Sequence, residues 1–259
     1  MERSTIGSFL RAMQARCGQI CEKETLEFGI AYYSQRFAAI PDACQLREVW
    51  LPDSSKLTEA FRQSEAWFAS KGLRCLRWAA AEGQPIDRLQ PFLIERGFTP
   101  QESVVMGLGR WVECASAESL RILPARAMRA VFRETFLAEG GAAWAEALAD
   151  AALERLDDPQ LDMFVALRDK RPVGRCGLHQ VGDIGQVGDL WVAEGRDSLD
   201  VEAALLHYVL ALAKRLAMPT VLVQAPAADT AQQERFASLG FVAAARHVEF
   251  DRVSPGAAR

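Results

Sequence analysis

Apolar residues in this chain recur with two alternating periods, and the switches between them mark out its elements. From Asp162 to Leu178, an apolar run, a polar turn at Arg168–Pro172 and a second apolar run predict two strands joined as a hairpin. Val187–Val192 predicts a third strand. After the polar loop Ala193–Ser198 the helical period takes over in Asp200–Ala217, with Ala204, Leu205, Tyr208, Leu212 and Leu216 as its apolar stripe. Thr220–Gln224 is a short β-branched strand, Asp229–Leu239 a helix, and Gly240-Phe241 its C-terminal stop.

The first part of the chain passes through a similar succession. Thr5–Cys21 carries Ile6, Phe9, Met13 and Ile20 near helical spacing, with Ser4 placed to cap it. Phe28–Phe37 and Arg47–Leu51 predict strands. Pro52-Asp-Ser-Ser55 opens a helix through Ala69 whose Leu57, Phe61, Ala66 and Trp67 face inward, and Gly72 stops it. Leu73–Trp78 alternates as a strand, Leu89–Arg96 is a short helix ended by Gly97-Phe98, and Ser103–Leu108 is a strand. Trp111–Ser119 is a small polar connector, the natural place for a boundary. Beyond it Leu120–Leu123 predicts a strand, Pro124 the first turn of a helix through Leu137, Gly140-Gly141 a break, and Trp144–Leu156 a second helix.

Three strands, a helix, a strand, a helix, Gly-Phe and a strand form an order that resembles the Gcn5-related N-acetyltransferases (GNAT). The likeness is carried by the hairpin Phe164-Val-Ala and Arg171-Pro-Val-Gly174, the strand end Leu190-Trp-Val192, Ala204-Leu-Leu206, and Phe236 with Leu239-Gly-Phe241. Val49-Trp-Leu51 repeats the strand end, and Glu95-Arg-Gly-Phe98 repeats Ser238-Leu-Gly-Phe241, a weak internal repeat of about 130 residues. The resemblance implies an α/β fold of two GNAT-like halves, each a mixed α+β sheet flanked by helices. Residues 1–112 would be a degenerate copy, and residues 119–253 the acetyltransferase domain. The interval from Trp50 to Gly72 is too short for a phosphate loop plus a full helix, and Pro52–Leu57 contains no glycine. The two helices between Pro124 and Leu156 would form one wall of the acceptor cleft.

Composition narrows the partners. Half of the 259 residues are hydrophobic and 25% are charged, so a packed core is expected. The net charge of −4, without a Lys/Arg cluster, argues against nucleic acid. No apolar run is long enough for a bilayer, and Met1–Leu10 lacks the apolar segment of a secretory leader, which makes the cytoplasm the expected location. Six cysteines (Cys17, Cys21, Cys44, Cys75, Cys114, Cys176) lack metal-site spacing. Cys17 and Cys21 share a helix face, but no second Cys/His pair follows them, so no metal is expected.

By the resemblance, the chain would move an acetyl group from acetyl-CoA, its co-substrate, directly to an amine of a small molecule or peptide. Leu190, Trp191 and Val192 would offer backbone groups to the acetyl-pantetheine arm and stabilise oxyanion charge. The loop Asp197, Ser198, Leu199, Asp200, Val201 and Glu202 would meet the pyrophosphate at a helix N-terminus. Asp189 is the first candidate for the base, and His179 the second.

Two departures from the family pattern favour the other reading, a catalytically silent tandem fold serving as a binding or regulatory module. The family's basic leader and small residues in the phosphate loop are replaced by Asp197, Asp200 and Glu202. At ~4–6 Å each like-charge pair with a phosphate would cost on the order of 3–4 kcal/mol before screening. The family's tyrosine, which protonates the leaving thiolate, falls on Phe236, and in the first copy on Leu93. The acceptor and the oligomeric state are not legible.

Overall fold

The computed structural model describes residues 4–51, 53–112, 120–139, 144–195 and 197–252. In chain order the elements are α1 (Thr5–Gly18), β1 (Glu22–Leu26), β2 (Gly29–Tyr33), β3 (Cys44–Val49), α2 (Leu57–Ser70), β4 (Arg77–Ala80), α3 (Leu89–Ile94) and β5 (Phe98–Leu108). There follow β6 (Arg121–Pro124), α4 (Arg129–Ala138), α5 (Ala145–Arg155), β7 (Leu161–Arg168), β8 (Arg171–Val181) and β9 (Ile184–Val192). The last are α6 (Ser198–Arg215), β10 (Thr220–Pro226), α7 (Thr230–Ser238) and β11 (Phe241–Arg252). Among the described residues no helix is long and apolar enough to cross a membrane.

The chain divides into two compact units: a C-terminal unit of residues 1–16 and 104–245, and an N-terminal unit of residues 17–103 and 246–259. These differ from the linear halves 1–112 and 119–253 at both ends, because α1 packs with the later strands and the end of β11 with the earlier ones. Residues 113–119 of the expected connector lie outside the described residues, as does the Gly140-Gly141 break.

In the C-terminal unit β6, β7, β8 and β9 form an antiparallel run in that order, and β10 lies parallel to β9. One face of this mixed sheet packs on α6, burying Cys176, Leu178 and Val187 against Val201, Leu205 and Val209. On the other face, Met163 and Val165 meet Phe132 and Phe136 of α4 and Ala149 and Ala152 of α5. The first turns of α1 seat Phe9 and Ala12 on Val105, Ile184 and Leu222. The Ser4 cap is made, with its hydroxyl accepting from the Gly7 N–H at 2.9 Å.

In the N-terminal unit the strand order is β1-β2-β3-β4-β11, with β3 parallel to β4 and the other neighbours antiparallel. The helices α2 and α3 cover one face, where Leu57, Ala60, Phe68, Leu89 and Leu93 bury against Leu46, Trp78 and Phe250.

The strand expected at Phe28–Phe37 is the second arm of a hairpin. Its partner β1, Glu-Lys-Glu-Thr-Leu, escapes the apolar pattern because it is an exposed edge strand, where charge discourages further pairing. Pro124 ends β6 with φ −60° and ψ 129° instead of opening a helix, and a 3₁₀ turn at Ala125–Ala127 leads into α4. On α6 the buried stripe is Val201, Leu205, Leu206, Val209, Leu210 and Ala213; Tyr208 and Leu216 face solvent. Apolar residues occur on two flanks of that helix, and the sheet selects one of them.

Candidate active site

β9 meets β10 at three successive pairs, Thr220↔Ile184, Val221↔Gly185 and Leu222↔Gln186, and the pairing ends there. The rest of β9, Val187–Val192, therefore turns its β10-side backbone groups to an opening between two parallel strands. On its other edge β9 bulges. Gly177 pairs with Gly188 and Arg175 with Trp191, so Cys176 faces two residues, Asp189 and Leu190. Asp189 sits at the kink with φ +52°, the left-handed region that aspartate tolerates better than most residues.

The Asp189 carboxylate is closed by Arg16 of α1, whose Nη1 and Nη2 donate to it at 2.8 and 2.6 Å. Burial alone would raise the Asp189 carboxyl. The Arg16 guanidinium outweighs burial and holds the group down at about 2. Of the sequence-predicted site residues, Asp189 thus lies at the strand opening beside Leu190, Trp191 and Val192, but fully engaged.

The loop after β9 delivers the chain into α6. Asp197 is the N-cap residue, its carbonyl accepting from Val201 N–H at 3.1 Å, and its side chain caps no amide. That carboxylate instead accepts from Arg168 Nη1 at 2.7 Å. Glu202 accepts from Arg235 Nε of α7 at 2.8 Å. The repulsion expected from Asp197, Asp200 and Glu202 is accordingly reduced, since two of the three are matched by arginines. Asp200 and Leu199 are exposed, Ser198 is half-buried, and Val201 is buried beneath the first turn. Arg196 lies outside the described residues.

The start of α6 is seated closely on β8. A Cβ added at Gly174 would come within 2.8 Å of Leu205 Cδ1 and 3.0 Å of both Val201 Cγ1 and the Trp191 carbonyl oxygen. Next along β8, the buried Arg175 donates to the Thr135 carbonyl at 2.8 Å and to Glu139, and lies 3.6 Å above the Phe136 ring. It ties α4 to the strand facing Trp191.

His179 is buried on β8, opposite Gln186, with Asp158 4.0 Å away. Burial, with Arg16 contributing, pushes its imidazole down to about 4, so it is neutral near pH 7. Phe236 is 1% exposed, packed against Phe241 in the α6-side core. The arginines Arg16, Arg168, Arg175 and Arg235 were not picked out from the sequence. Each pairs with a residue remote in the chain, which local periodicity does not register.

The N-terminal unit repeats the kink without the opening. Glu48, just before Val49-Trp50-Leu51, has φ +53°. The β2–β3 register slips there by one residue, from Ile30↔Arg47 to a Trp50 N–H donating to the Phe28 carbonyl. Unlike β9, β3 stays paired to its parallel neighbour through Val49↔Ala80, and Ala81 N–H continues to the Val49 carbonyl at 3.0 Å. The following N–H, of Leu51, donates to Gln84 Oε1 at 2.7 Å.

The model of the acetyltransferase (GNAT) family matches residues 125–241, from the turn before α4 to the first residue of β11. Over this segment the chain is similar to the GNAT acetyltransferases. The matched segment contains the opening between β9 and β10, the bulge and the α6 N-terminus. Among solved structures, a functionally unknown conserved protein from Staphylococcus epidermidis superposes with a TM-score of 0.71 at 14% identity, covering 90% of this chain and 95% of that one. A GCN5-related N-acetyltransferase from Kribbella flavida gives 0.68 at 13% identity, covering 96% of each. A tandem GNAT protein from the clavulanic acid biosynthesis pathway gives 0.55 at 15% identity, covering 86% of this chain and 78% of that one. These likenesses establish the fold. No curated protein matches the chain in sequence. Among the described residues no His, Cys, Asp and Glu side chains group as a metal site would require.

Proposed function

We propose that the protein is an acetyl-CoA-dependent N-acetyltransferase with a single transfer site in the C-terminal unit, acting on an amine of a small molecule or peptide. The observation that carries this reading is the coincidence of an unpaired strand edge, Val187–Val192, with a helix start whose cap residue leaves its amides uncapped. The edge offers N–H groups to a thioester carbonyl and to the amides of a pantetheine arm. The amides of α6 at Ser198–Val201 offer a dipole and donors to a pyrophosphate. Arg168 and Arg235 favour the fit by holding Asp197 and Glu202.

In the reaction the acceptor nitrogen attacks the thioester carbon. The C–N bond forms, the C–S bond breaks, the nitrogen loses a proton, and the thiolate takes one up. The backbone of Leu190–Val192 stabilises the oxyanion, and the strand opening aligns the two reactants. Asp189, the base expected from the sequence, is poorly suited to take the proton: its two oxygens already accept from Arg16, and its carboxyl is held at about 2. An acceptor that reaches the site as the free amine needs no protein base.

The N-terminal unit is a degenerate copy in this reading, its strand edge paired and its next N–H taken by Gln84. The cytoplasm is the proposed location; the described cysteines form no disulfide, which suits a reducing compartment. The silent-module reading is favoured by one observation, the buried Phe236 where the family places a proton-donating tyrosine. Calorimetric titration of the full chain with acetyl-CoA and with CoA separates the two. One site per chain supports the transferase, and no heat from either ligand removes it.

A further inference from the structure

We propose that Arg16 and Asp189 are positioning residues: the ion pair between α1 and β9 holds the bulge in the conformation that presents Leu190–Val192 to the thioester carbonyl. The inference rests on the transferase reading above. It assigns a role to a helix outside the GNAT-matched segment.

A non-glycine residue at φ +52° inside a strand persists where its surroundings over-determine it. The carboxylate at this kink is two rotatable bonds from its own Cα, and two parallel N–H···O contacts from one guanidinium fix its plane. Holding the carboxylate therefore holds the backbone. The guanidinium is itself anchored, because Phe9 and Ala12 of α1 are fully buried against Val105, Ile184 and Leu222. The strand is shaped to receive α1. Gly188 leaves room for the arginine, since a Cβ there would lie 3.4 Å from Arg16 Nη1, and Gln186 Nε2 donates to Met13 Sδ at 3.3 Å. Three positions of β9, Gln186, Gly188 and Asp189, thus meet one side of the helix, just where β9 parts from β10. A general base needs a lone pair free for the acceptor; a positioning group needs the rigid two-point contact that is present.

The test uses the full chain with Arg16→Ala, Arg16→Lys and Asp189→Asn. Acetyl-CoA and CoA are titrated into each, because the two ligands differ by the acetyl group that the bulge would hold. The parent is expected to prefer acetyl-CoA. In Arg16→Ala and Asp189→Asn that preference should fall by about fivefold or more while CoA affinity is retained, the size of a lost hydrogen bond. Arg16→Lys should lie between. A parent without preference, a preference that survives both substitutions, or an equal loss of both affinities overturns the proposal. Loss of a proton-accepting base would leave the preference intact. Amide exchange without ligand supplies an independent readout. Residues 188–192 should exchange about tenfold faster in Arg16→Ala, with β7 unchanged, and unaltered exchange also overturns the proposal. If the parent binds neither ligand, the transferase reading falls, and the exchange rates still decide whether the pair braces the bulge.

Discussion

Replacing Gly174 by alanine should loosen the seat of α6 and weaken acetyl-CoA binding together. The new methyl would lie 2.8 Å from Leu205 Cδ1, 3.0 Å from Val201 Cγ1 and 3.0 Å from the Trp191 carbonyl oxygen. Leu205 and Val201 are buried with 0% and 2% exposure, so neither has open space to retreat into. The carbonyl belongs to β9 itself. Overpacking of this kind costs about 1–3 kcal/mol, offset by about 0.4–1 kcal/mol from a less flexible unfolded chain, leaving a loss of about 1–2 kcal/mol. At about 2–4 °C per kcal/mol for a domain of this size, the melting point should fall by about 2–8 °C. The displaced elements are the first turns of α6 and the residue Trp191, so acetyl-CoA affinity should drop by more than the stability change alone requires. Differential scanning fluorimetry and calorimetric titration measure the two effects. An unchanged or higher melting point with unchanged affinity would mean that this contact does not set the position of the helix.

Other substitutions probe the charges around the same helix. Asp200→Asn removes the first-turn carboxylate that makes no ion pair among the described residues, and should tighten acetyl-CoA binding by about two- to fivefold at low salt, with the gain fading as salt rises. Arg235→Ala leaves Glu202 uncompensated and should weaken binding by about threefold or more, and adding Glu202→Gln should restore it; a titration series reads both. His179 gives a pH signature. Its folded pKa, pushed down to about 4 by burial, lies below the ordinary imidazole value of 6.5, so between pH 6.5 and 4 the unfolded chain takes up a proton that the native chain refuses. Stability should therefore fall across that window by up to about 3 kcal/mol, and His179→Gln should flatten the decline in chemical denaturation at stepped pH.

The elements that were legible in the sequence are those whose cause is local. Gly72, Gly97 and Gly240 stop their helices at φ +71°, +82° and +95°, which glycine alone adopts at no cost. Asp229 caps α7 by accepting from Gln232 N–H at 2.8 Å, as an aspartate before a helix suggests. The hairpin of β7 and β8 follows from alternation and a polar turn. What stayed hidden depends on distant partners. Glu-Lys-Glu-Thr-Leu is a strand because β2 lies beside it. Which flank of α6 is buried depends on the sheet it meets. The loop read as repulsive became nearly balanced because Arg168 and Arg235, 29 and 33 residues from their partners, fold back onto it. Asp189 lies on β9 beside the strand opening, and its engagement by a residue 173 positions earlier has no local trace.

The packing of α1 also sets a timetable for synthesis and folding. Phe9 and Ala12 leave the ribosome long before Ile184 and Leu222, on which they pack. Until then the helix carries an uncovered apolar stripe, and closing it requires one of the longest loops in the molecule. The intervening residues 17–103 belong almost wholly to the other unit and can collapse on their own core in the meantime. A helix translated well ahead of the strands it packs on is therefore among the last elements to be locked into place, and the slowest refolding phase should report the docking of α1.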